Sequence, residues 1–182
     1  MGSNQEGEDV YASRDRQWTG AFRTGYLSPL GPVRILGRES SIVEVGFCSG
    51  DVKNWRDSGP DILFECLSQL DEYFRGKREK FNLTLAPQGT TFQKRVWREL
   101  LRIPYGETRS YKQIARNLGN GQAARPVGGA NARNPISIII PCHRVIGTRG
   151  DLVGYGGGLR RKKWLLNHEK EIFSGSAQRE AW

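Results

Sequence analysis

The chain has 182 residues, of which 37% are hydrophobic, and a net charge of +9 at pH 7; this length suits one or two compact domains. No stretch approaches the roughly 20 consecutive apolar residues that cross a bilayer. The polar N-terminus carries no secretory signal, so we expect a cytoplasmic protein, nucleoid-associated in a prokaryote, with no membrane partner. Three cysteines and two histidines form no metal-ligand pattern. We therefore expect no disulfide framework, no metal and no cofactor.

The positive charge is concentrated in the second half of the chain. Residues 91–182 carry 17 Lys and Arg against 6 Asp and Glu, whereas residues 1–90 carry 11 against 13. A basic half beside a nearly neutral half favours a polyanion, such as a nucleic acid, as partner. The alternative is a soluble basic protein whose charged faces are merely solvated. The run of Arg160, Arg161, Lys162 and Lys163 is expected to form a solvated or phosphate-facing patch.

The first half predicts a small α/β unit over residues 18–80, preceded by a loose segment at 1–17. The turn sequence SPLGP at 28–32 separates two short strands, and SIVEVGF at 41–47 alternates as a half-buried strand does. The sequence PDILFECLSQLDEYFRG at 60–76 predicts a helix with Pro at its start and Gly past its end. Its apolar stripe consists of Ile62, Leu63, Cys66, Leu67, Leu70 and Phe74.

The second half predicts a linker at 81–90, a second domain at 91–170 and a C-terminal tail at 171–182. The stretch TTFQKRVWRELLRIP begins with Thr90 and Gln93 in the spacing of a capping box, which predicts a helix start. The residues expected on the inward face of this helix are Phe92, Val96, Trp97 and Leu100.

Two further short helices follow. SYKQIARNLG at 110–119 again begins with a capping box and ends at a glycine, with Ile114 and Leu118 inward. AARPVGGANARN at 123–134 then predicts a basic helix of small residues, with Pro126 in its first turn. A short helix, a glycine turn and a second short helix form a candidate helix-turn-helix that would place the second helix in a groove of duplex DNA. The alternative is a helical hairpin packed in a core.

The stretch IIIPCHRVIG at 138–147 sets a thiol beside an imidazole. We expect ISIII at 136–140 to be a buried strand with Cys142 at its end, where a rigid scaffold presents a side chain to a pocket. Adjacent side chains of an extended chain point to opposite faces, so His143 reaches Cys142 only through a turn or a bridging water. A nucleophilic thiol also needs an acid that orients the histidine. The nearby candidates are Asp151, Glu169 and Glu171.

The residues from 90 to 169 closely resemble the O6-alkylguanine-DNA alkyltransferases, or methylated-DNA–protein-cysteine methyltransferases, of the prokaryotic type. The matching segments are TTFQKRVWRELLRIPYGETRSYKQIA, AARPVGGANARNPISIIIPCHRVIG and GYGGGLRRKKWLLNHE, and PCHRVI is the active-site signature of that family. The resemblance implies an α/β (α+β) fold, with a ribonuclease-H-like N-terminal domain and a C-terminal helix-turn-helix, winged-helix-like domain.

The resemblance also implies a reaction. The protein would bind duplex DNA, turn an O6-alkylguanine out of the stack and transfer its alkyl group once, irreversibly, to Cys142. Glu169 would hold His143, which acts on Cys142 through a water. Tyr111 would crowd the phosphate of the flipped nucleotide and donate to the guanine ring. Asn134 would tie the recognition helix to the active-site turn.

The remaining roles implied by the resemblance concern the base and the duplex. The residues expected around the flipped guanine are Ser137, Val145, Tyr155 and Gly156. The residues expected to contact DNA are Tyr111, Ala124, Arg125, Gly128 and Arg133. Arg125 would fill the space that the flipped base leaves in the stack. We expect a monomer. Self-association along DNA and activity on O4-alkylthymine are open.

Two other functions fit parts of the sequence. A DNA-binding regulator would use the same helix-turn-helix without chemistry, but the non-reacting branch of this family lacks the cysteine found at Cys142. A cysteine hydrolase would use the Cys–His pair with an oxyanion hole, but it gives no reason for the basic half. Stoichiometric reaction with alkylated DNA separates the transferase from both.

Overall fold

The computed structural model describes residues 20–52, 55 and 59–179, with side chains described to residue 174. The expectation of a loose segment at 1–17 lies outside these residues. Within them, no helix is both long and apolar enough to cross a membrane.

The N-terminal unit is built on a three-stranded antiparallel sheet. Its strands are β1 (Phe22–Ser28), β2 (Gly31–Arg38) and β3 (Ser41–Phe47), in that order. The predicted SPLGP turn is confirmed and joins β1 to β2. The prediction of a strand at 41–47 is also confirmed, but its half-burial is wrong, because residues 42–47 are all buried. In a half-buried strand the charged Glu44 would face solvent. It is buried here because its Oε1 pairs with Arg34 Nη2 at 2.7 Å.

One helix, α1 (Asp61–Phe74), packs against this sheet. Its boundaries agree with the prediction, since Pro60 immediately precedes it and Gly76, at φ +69°, follows its end. Most of the predicted stripe is buried. Tyr73 is also fully buried although it was not assigned to that stripe.

The edge of β3 that faces away from β2 is hydrogen-bonded to later segments of the chain. The segment predicted as a linker pairs with it, since Ile42 N donates to Thr84 O and Ala86 N donates to Ile42 O, both at 2.8 Å. Further along the same edge, Ser137 N donates to Val45 O at 2.7 Å. The strand edge is thereby covered by backbone from the second half of the chain.

Three helices form the first part of the C-terminal unit, α2 (Thr91–Leu100), α3 (Tyr111–Asn117) and α4 (Ala124–Ala132). Both predicted capping boxes are present, at the starts of α2 and α3. Phe92 was predicted to face inward, but it lies in the first turn of α2 and is 36% exposed. Helices α3 and α4 pack together across the short turn between them, as the helix-turn-helix prediction requires.

The predicted strand at 136–140 is wrong. Ile136 makes one isolated bridge with Val45, after which the chain turns, and Ile138 adopts φ +73°. Burial of the segment was nevertheless predicted correctly. A 3₁₀ turn follows at Cys142–Arg144 and leads into β5 (Val145–Ile146), which pairs in parallel with β4 (Arg109–Ser110). Cys142 therefore begins a tight turn instead of ending a strand.

The final helix, α5 (Leu159–Arg179), contacts the 3₁₀ turn and inserts Leu165 and Glu169 into the interior. It continues past Lys170 into the segment assigned to a tail. This helix brings the acidic residue of the predicted site to the cysteine-bearing turn.

Candidate active site

Cys142 lies at the centre of the candidate site and is almost completely buried, with 3% of its surface exposed. Its Sγ accepts a hydrogen bond from Asn134 Nδ2 at 3.0 Å. Burial raises the pKa of the thiol to about 11, although the Asn134 bond and the nearby charge of Lys162 oppose that rise. The thiol is therefore protonated at neutral pH and requires a base before it can act as a nucleophile.

The Asn134 side chain holds the turn that precedes Cys142. Besides the thiol, its Nδ2 group donates to Ile140 O at 2.8 Å and to Ile136 O at 3.3 Å. Its Oδ1 accepts from Ile136 N at 3.0 Å. A single amide thus links the end of the α4 segment to both ends of the apolar turn and to the thiol.

His143 and Glu169 form a fully buried pair, with Nε2 and Oε1 2.7 Å apart. Burial alone would raise the pKa of Glu169, but His143 and Arg144 outweigh it and hold that pKa well below its usual range. Because the carboxylate is ionised, Nε2 carries the proton and Nδ1 keeps its lone pair. That Nδ1 atom is buried and has no hydrogen-bond partner among the described residues.

Burial lowers the pKa of His143, while Glu169 opposes that effect. The imidazole is therefore neutral at neutral pH and can accept a proton at Nδ1. Of the three acidic residues considered from the sequence, Glu169 is the one that meets His143. Cys142 and His143 both belong to the 3₁₀ turn, and a turn was one of the two alternatives that the sequence left open for this pair.

Glu169 has further partners that the sequence did not reveal. Arg144 donates to it twice, from Nε to Oε2 at 2.8 Å and from Nη2 to Oε1 at 3.0 Å. Tyr73 donates its hydroxyl to Oε1 at 2.8 Å, and Gly106 N donates to Oε2 at 3.3 Å. Arg144 could have been inferred from its place directly after His143. Tyr73 carries no such signal, because it lies 96 residues before Glu169.

Lys162 was predicted to belong to a solvated or phosphate-facing patch with its cationic neighbours, and that prediction is wrong. The side chain is fully buried, and Nζ donates to Val145 O at 2.6 Å and to Val153 O at 2.7 Å. Burial lowers the pKa of this ammonium group to about 8, against the opposing charge of Cys142. In the same run, Arg160 and Lys163 are exposed as expected.

Tyr111 begins α3 and reaches the loop between β5 and α5. Its hydroxyl lies 3.0 Å from Val153 O and 3.3 Å from Gly154 O. Burial raises its pKa to about 12, and the charge of Cys142 adds to that rise. Tyr155 and Gly156, the residues expected over the base, follow directly in this loop. Val153 O joins Tyr111 and Lys162, so one carbonyl connects α3, the loop and α5.

Apart from Tyr111 on α3, the residues predicted to contact DNA lie on α4 or at its end. Arg125 and Arg133 are exposed, whereas Ala124 and Gly128 are half-buried. Gly128 lies beside Tyr111, and a Cβ atom there would be 3.8 Å from that ring. Asn131 on the same helix was not predicted, yet its Nδ2 donates to Cys142 O at 3.2 Å. The helix therefore contacts the cysteine turn on one side and exposes arginines on the other.

Two residues expected in the wall of the base pocket are buried beside the cysteine turn. Ser137 belongs to the apolar turn that Asn134 holds, and its backbone is fixed by Val45. Val145 directly follows the 3₁₀ turn, and its carbonyl accepts from Lys162. The structure thus brings the predicted cysteine, histidine, glutamate and asparagine into one cluster, with Tyr111 at its side.

Comparisons with known proteins place both halves of the chain in one family. Residues 22–87 match the model of the ribonuclease-like domain of 6-O-methylguanine DNA methyltransferase, and residues 91–171 match its DNA binding domain. A methylated-DNA–protein-cysteine methyltransferase of Methanosarcina acetivorans is 48% identical over 149 residues, covering 79% of this chain and 95% of that protein. One from Mycobacterium leprae is 49% identical over 148 residues, covering 79% and 88%.

The fold is also similar to solved structures. A crystal structure of the Mycobacterium tuberculosis O6-methylguanine methyltransferase aligns with a TM-score of 0.74 and 43% identity, covering 84% of this chain and 94% of that chain. The Mycobacterium tuberculosis OGT in complex with DNA aligns with a TM-score of 0.75 and 45% identity, covering 82% and 93%. The fold class predicted from the sequence is confirmed.

Proposed function

Because this chain belongs to the methylated-DNA–protein-cysteine methyltransferase family, as its sequence motifs predicted, we propose that it repairs O6-alkylguanine in duplex DNA. The alkyl group moves to Cys142 in a single irreversible step. The observation that carries this proposal is the buried cluster of Cys142 with His143, whose Nε2 is held by Glu169 and whose Nδ1 lone pair is available.

The reaction begins with loss of the Cys142 proton to His143 Nδ1 through a bridging water. The resulting imidazolium is stabilised by Glu169, which the site keeps ionised. The sulfur then forms a bond to the alkyl carbon while the carbon–O6 bond breaks and its electron pair leaves with the guanine. Tyr111 donates a hydrogen bond to the guanine ring, which eases its departure. The Asn134 donor stabilises the thiolate before attack.

Each molecule acts once under this mechanism. The product is a thioether, which water does not hydrolyse under ordinary conditions. The proton taken up by His143 passes through water to the departing guanine, and the neutral His143 then has no thiol to activate, since Cys142 is alkylated. The protein is therefore consumed stoichiometrically, and it needs no cofactor for the transfer.

Burial of the thiol requires that the damaged base leave the duplex. A base that remains stacked cannot bring its O6 substituent to a sulfur that is 3% exposed. The basic C-terminal half and the exposed arginines of α4 suit a phosphate backbone. We assign Arg125 to the space the base vacates, and Tyr155 and Gly156 to the loop that covers the base.

The test is intact mass spectrometry after mixing the protein with a duplex that contains one O6-methylguanine. We expect a gain of one methylene that saturates at one per chain, and no gain in Cys142→Ser or with an unmodified duplex. Tight binding without a mass change would instead identify a damage sensor or regulator. Repeated turnover of an ester substrate would identify a hydrolase. We also propose a monomeric, cytoplasmic protein. Sedimentation of the free protein tests the monomeric state.

A further inference from the structure

The carboxylate of Glu169 receives a hydrogen bond from outside the C-terminal unit. The donor is the hydroxyl of Tyr73 on α1, which lies 2.8 Å from Oε1. The same oxygen lies 2.7 Å from His143 Nε2. Tyr73 and His143 therefore both donate hydrogen bonds to the same carboxylate oxygen. Through Tyr73, helix α1 of the N-terminal unit contacts the residue that holds the proposed general base, His143.

Tyr73 is held in one position by its surroundings. It is fully buried, and its ring packs edge-on against Tyr105, with centroids 6.1 Å apart, and against His168 at 5.6 Å. Its main-chain carbonyl accepts a hydrogen bond from His168 Nε2 at 2.9 Å. Burial, together with the charge of Glu169, keeps the pKa of the Tyr73 hydroxyl well above its usual value. The hydroxyl therefore stays protonated and donates its hydrogen bond from a fixed place.

We propose that Tyr73 is a positioning residue of the alkyl transfer, through which the N-terminal unit sets the strength of the Glu169–His143 hydrogen bond. The proposal rests on the proposed function, since it concerns the base that activates Cys142. Tyr73 acts through Glu169 and does not touch the reacting atoms.

The direction of the effect follows from the charge on the carboxylate. A donor that binds Oε1 draws negative charge away from the bond to His143 and weakens the attraction of Glu169 for the imidazolium. Without that donor, Glu169 stabilises protonated His143 more strongly, and the imidazole stays protonated to a higher pH. The other charged or titratable groups around this pair are unchanged by the substitution: Arg144, Lys162, Cys142, Tyr105 and His168.

Tyr73→Phe tests the proposal because it removes the hydroxyl and keeps the ring. The rate of methyl transfer from an O6-methylguanine duplex is measured under single-turnover conditions between about pH 5 and 8, where histidine titrates. We expect the acid limb of the profile to move to higher pH by about half a unit or more. A profile that superimposes on that of the unmodified protein overturns the proposal, whatever happens to stability.

Two matched variants control for the loss of a tyrosine hydroxyl. Tyr105→Phe removes a buried hydroxyl that has no hydrogen-bond partner among the described residues. Tyr26→Phe removes a tyrosine–carboxylate bond, to Asp71 at 3.3 Å, within the N-terminal unit and away from Glu169. Both should leave the acid limb in place. A similar shift in either variant would assign the effect to general loosening and contradict the proposal.

A second substitution keeps the test decisive if Tyr73→Phe folds poorly. Incorporation of 3-fluorotyrosine at Tyr73 preserves the hydroxyl and makes it a stronger donor, so the acid limb should move to lower pH. An acid limb that stays at the same pH or moves to higher pH contradicts the proposal. Failure of the unmodified protein to gain mass would refute the proposed function itself. If the unmodified protein gains mass but substitution of Tyr73 leaves the acid limb at the same pH, only this inference is refuted.

Discussion

Replacing Asn134 with Ala should destabilise the fold far more than the same change at Asn131. Both amides are buried, lie three residues apart and contact the cysteine turn. Asn134 makes four hydrogen bonds through both ends of its amide. Asn131 donates one bond, to Cys142 O, and its Oδ1 has no partner among the described residues.

The magnitude follows from the groups that are left behind. Without Asn134, the N–H of Ile136 loses its acceptor in a buried segment, and an orphaned buried donor costs about 1–3 kcal/mol. The carbonyl of Ile140 loses one bond, worth about 0.5–1.5 kcal/mol, but keeps the bond from Cys142 N. We therefore expect a loss of about 2–4 kcal/mol in the free energy of unfolding.

The same accounting gives a small effect for Asn131→Ala. The carbonyl of Cys142 still accepts from the backbone N–H of Val145, so no group is orphaned. Alanine also has a higher helix propensity than asparagine, which offsets part of the lost bond in α4. We expect a change of about 1 kcal/mol or less. Urea denaturation of both variants and the unmodified protein measures the difference, and equal losses would refute the assignment of the turn to Asn134.

Three further outcomes follow from the site. Since burial lowers the pKa of His143 and the base must be neutral, the transfer rate should fall to half only below about pH 6.5; a midpoint above that value in single-turnover assays contradicts this. Gly128→Ala should stabilise α4 by about 0.5–1 kcal/mol in denaturation, because the new Cβ meets Tyr111 at an ordinary 3.8 Å; destabilisation would show that the contact is too tight. Lys162→Met should lower the free energy of unfolding by about 1–3 kcal/mol, since Val145 O loses its buried donor while Val153 O keeps the bond from Tyr111, whereas exposed Lys163→Met should change it by about 0.5 kcal/mol or less.

Sequence patterns predicted the elements whose signals are local. The capping boxes at Thr90 and Ser110 fixed two helix starts, because the residues that satisfy a helix end lie within one turn of it. Pro60 and Gly76 marked α1 for the same reason. The family motif then directed attention to Glu169, which the structure pairs with His143.

The errors arose where a specific side-chain contact, and not the local apolar or charge pattern, decides the conformation. The run at 136–140 has the composition of a buried strand, but the Asn134 side chain satisfies its backbone and permits a turn instead. Lys162 stands among exposed cations in the sequence, yet two backbone carbonyls from other segments make its burial possible. Tyr73 meets Glu169 only because the two units pack together. The Lys162 and Tyr73 contacts join different elements of the chain, so no local pattern encodes them.

Two of the three buried cysteines, Cys66 and Cys142, show what separates a core thiol from the proposed nucleophile. Burial raises the pKa of Cys66 to about 12 and nothing opposes it, since the side chain lies in the apolar core. Cys142 is nearly as buried, but a donor from Asn134 and the charge of Lys162 favour its thiolate. The exposed fraction therefore does not distinguish the two thiols. The hydrogen-bond donor and the positive charge beside Cys142 do. Under the proposed single-use reaction such burial would be an advantage, because small electrophiles in solution meet little of a thiol that is 3% exposed.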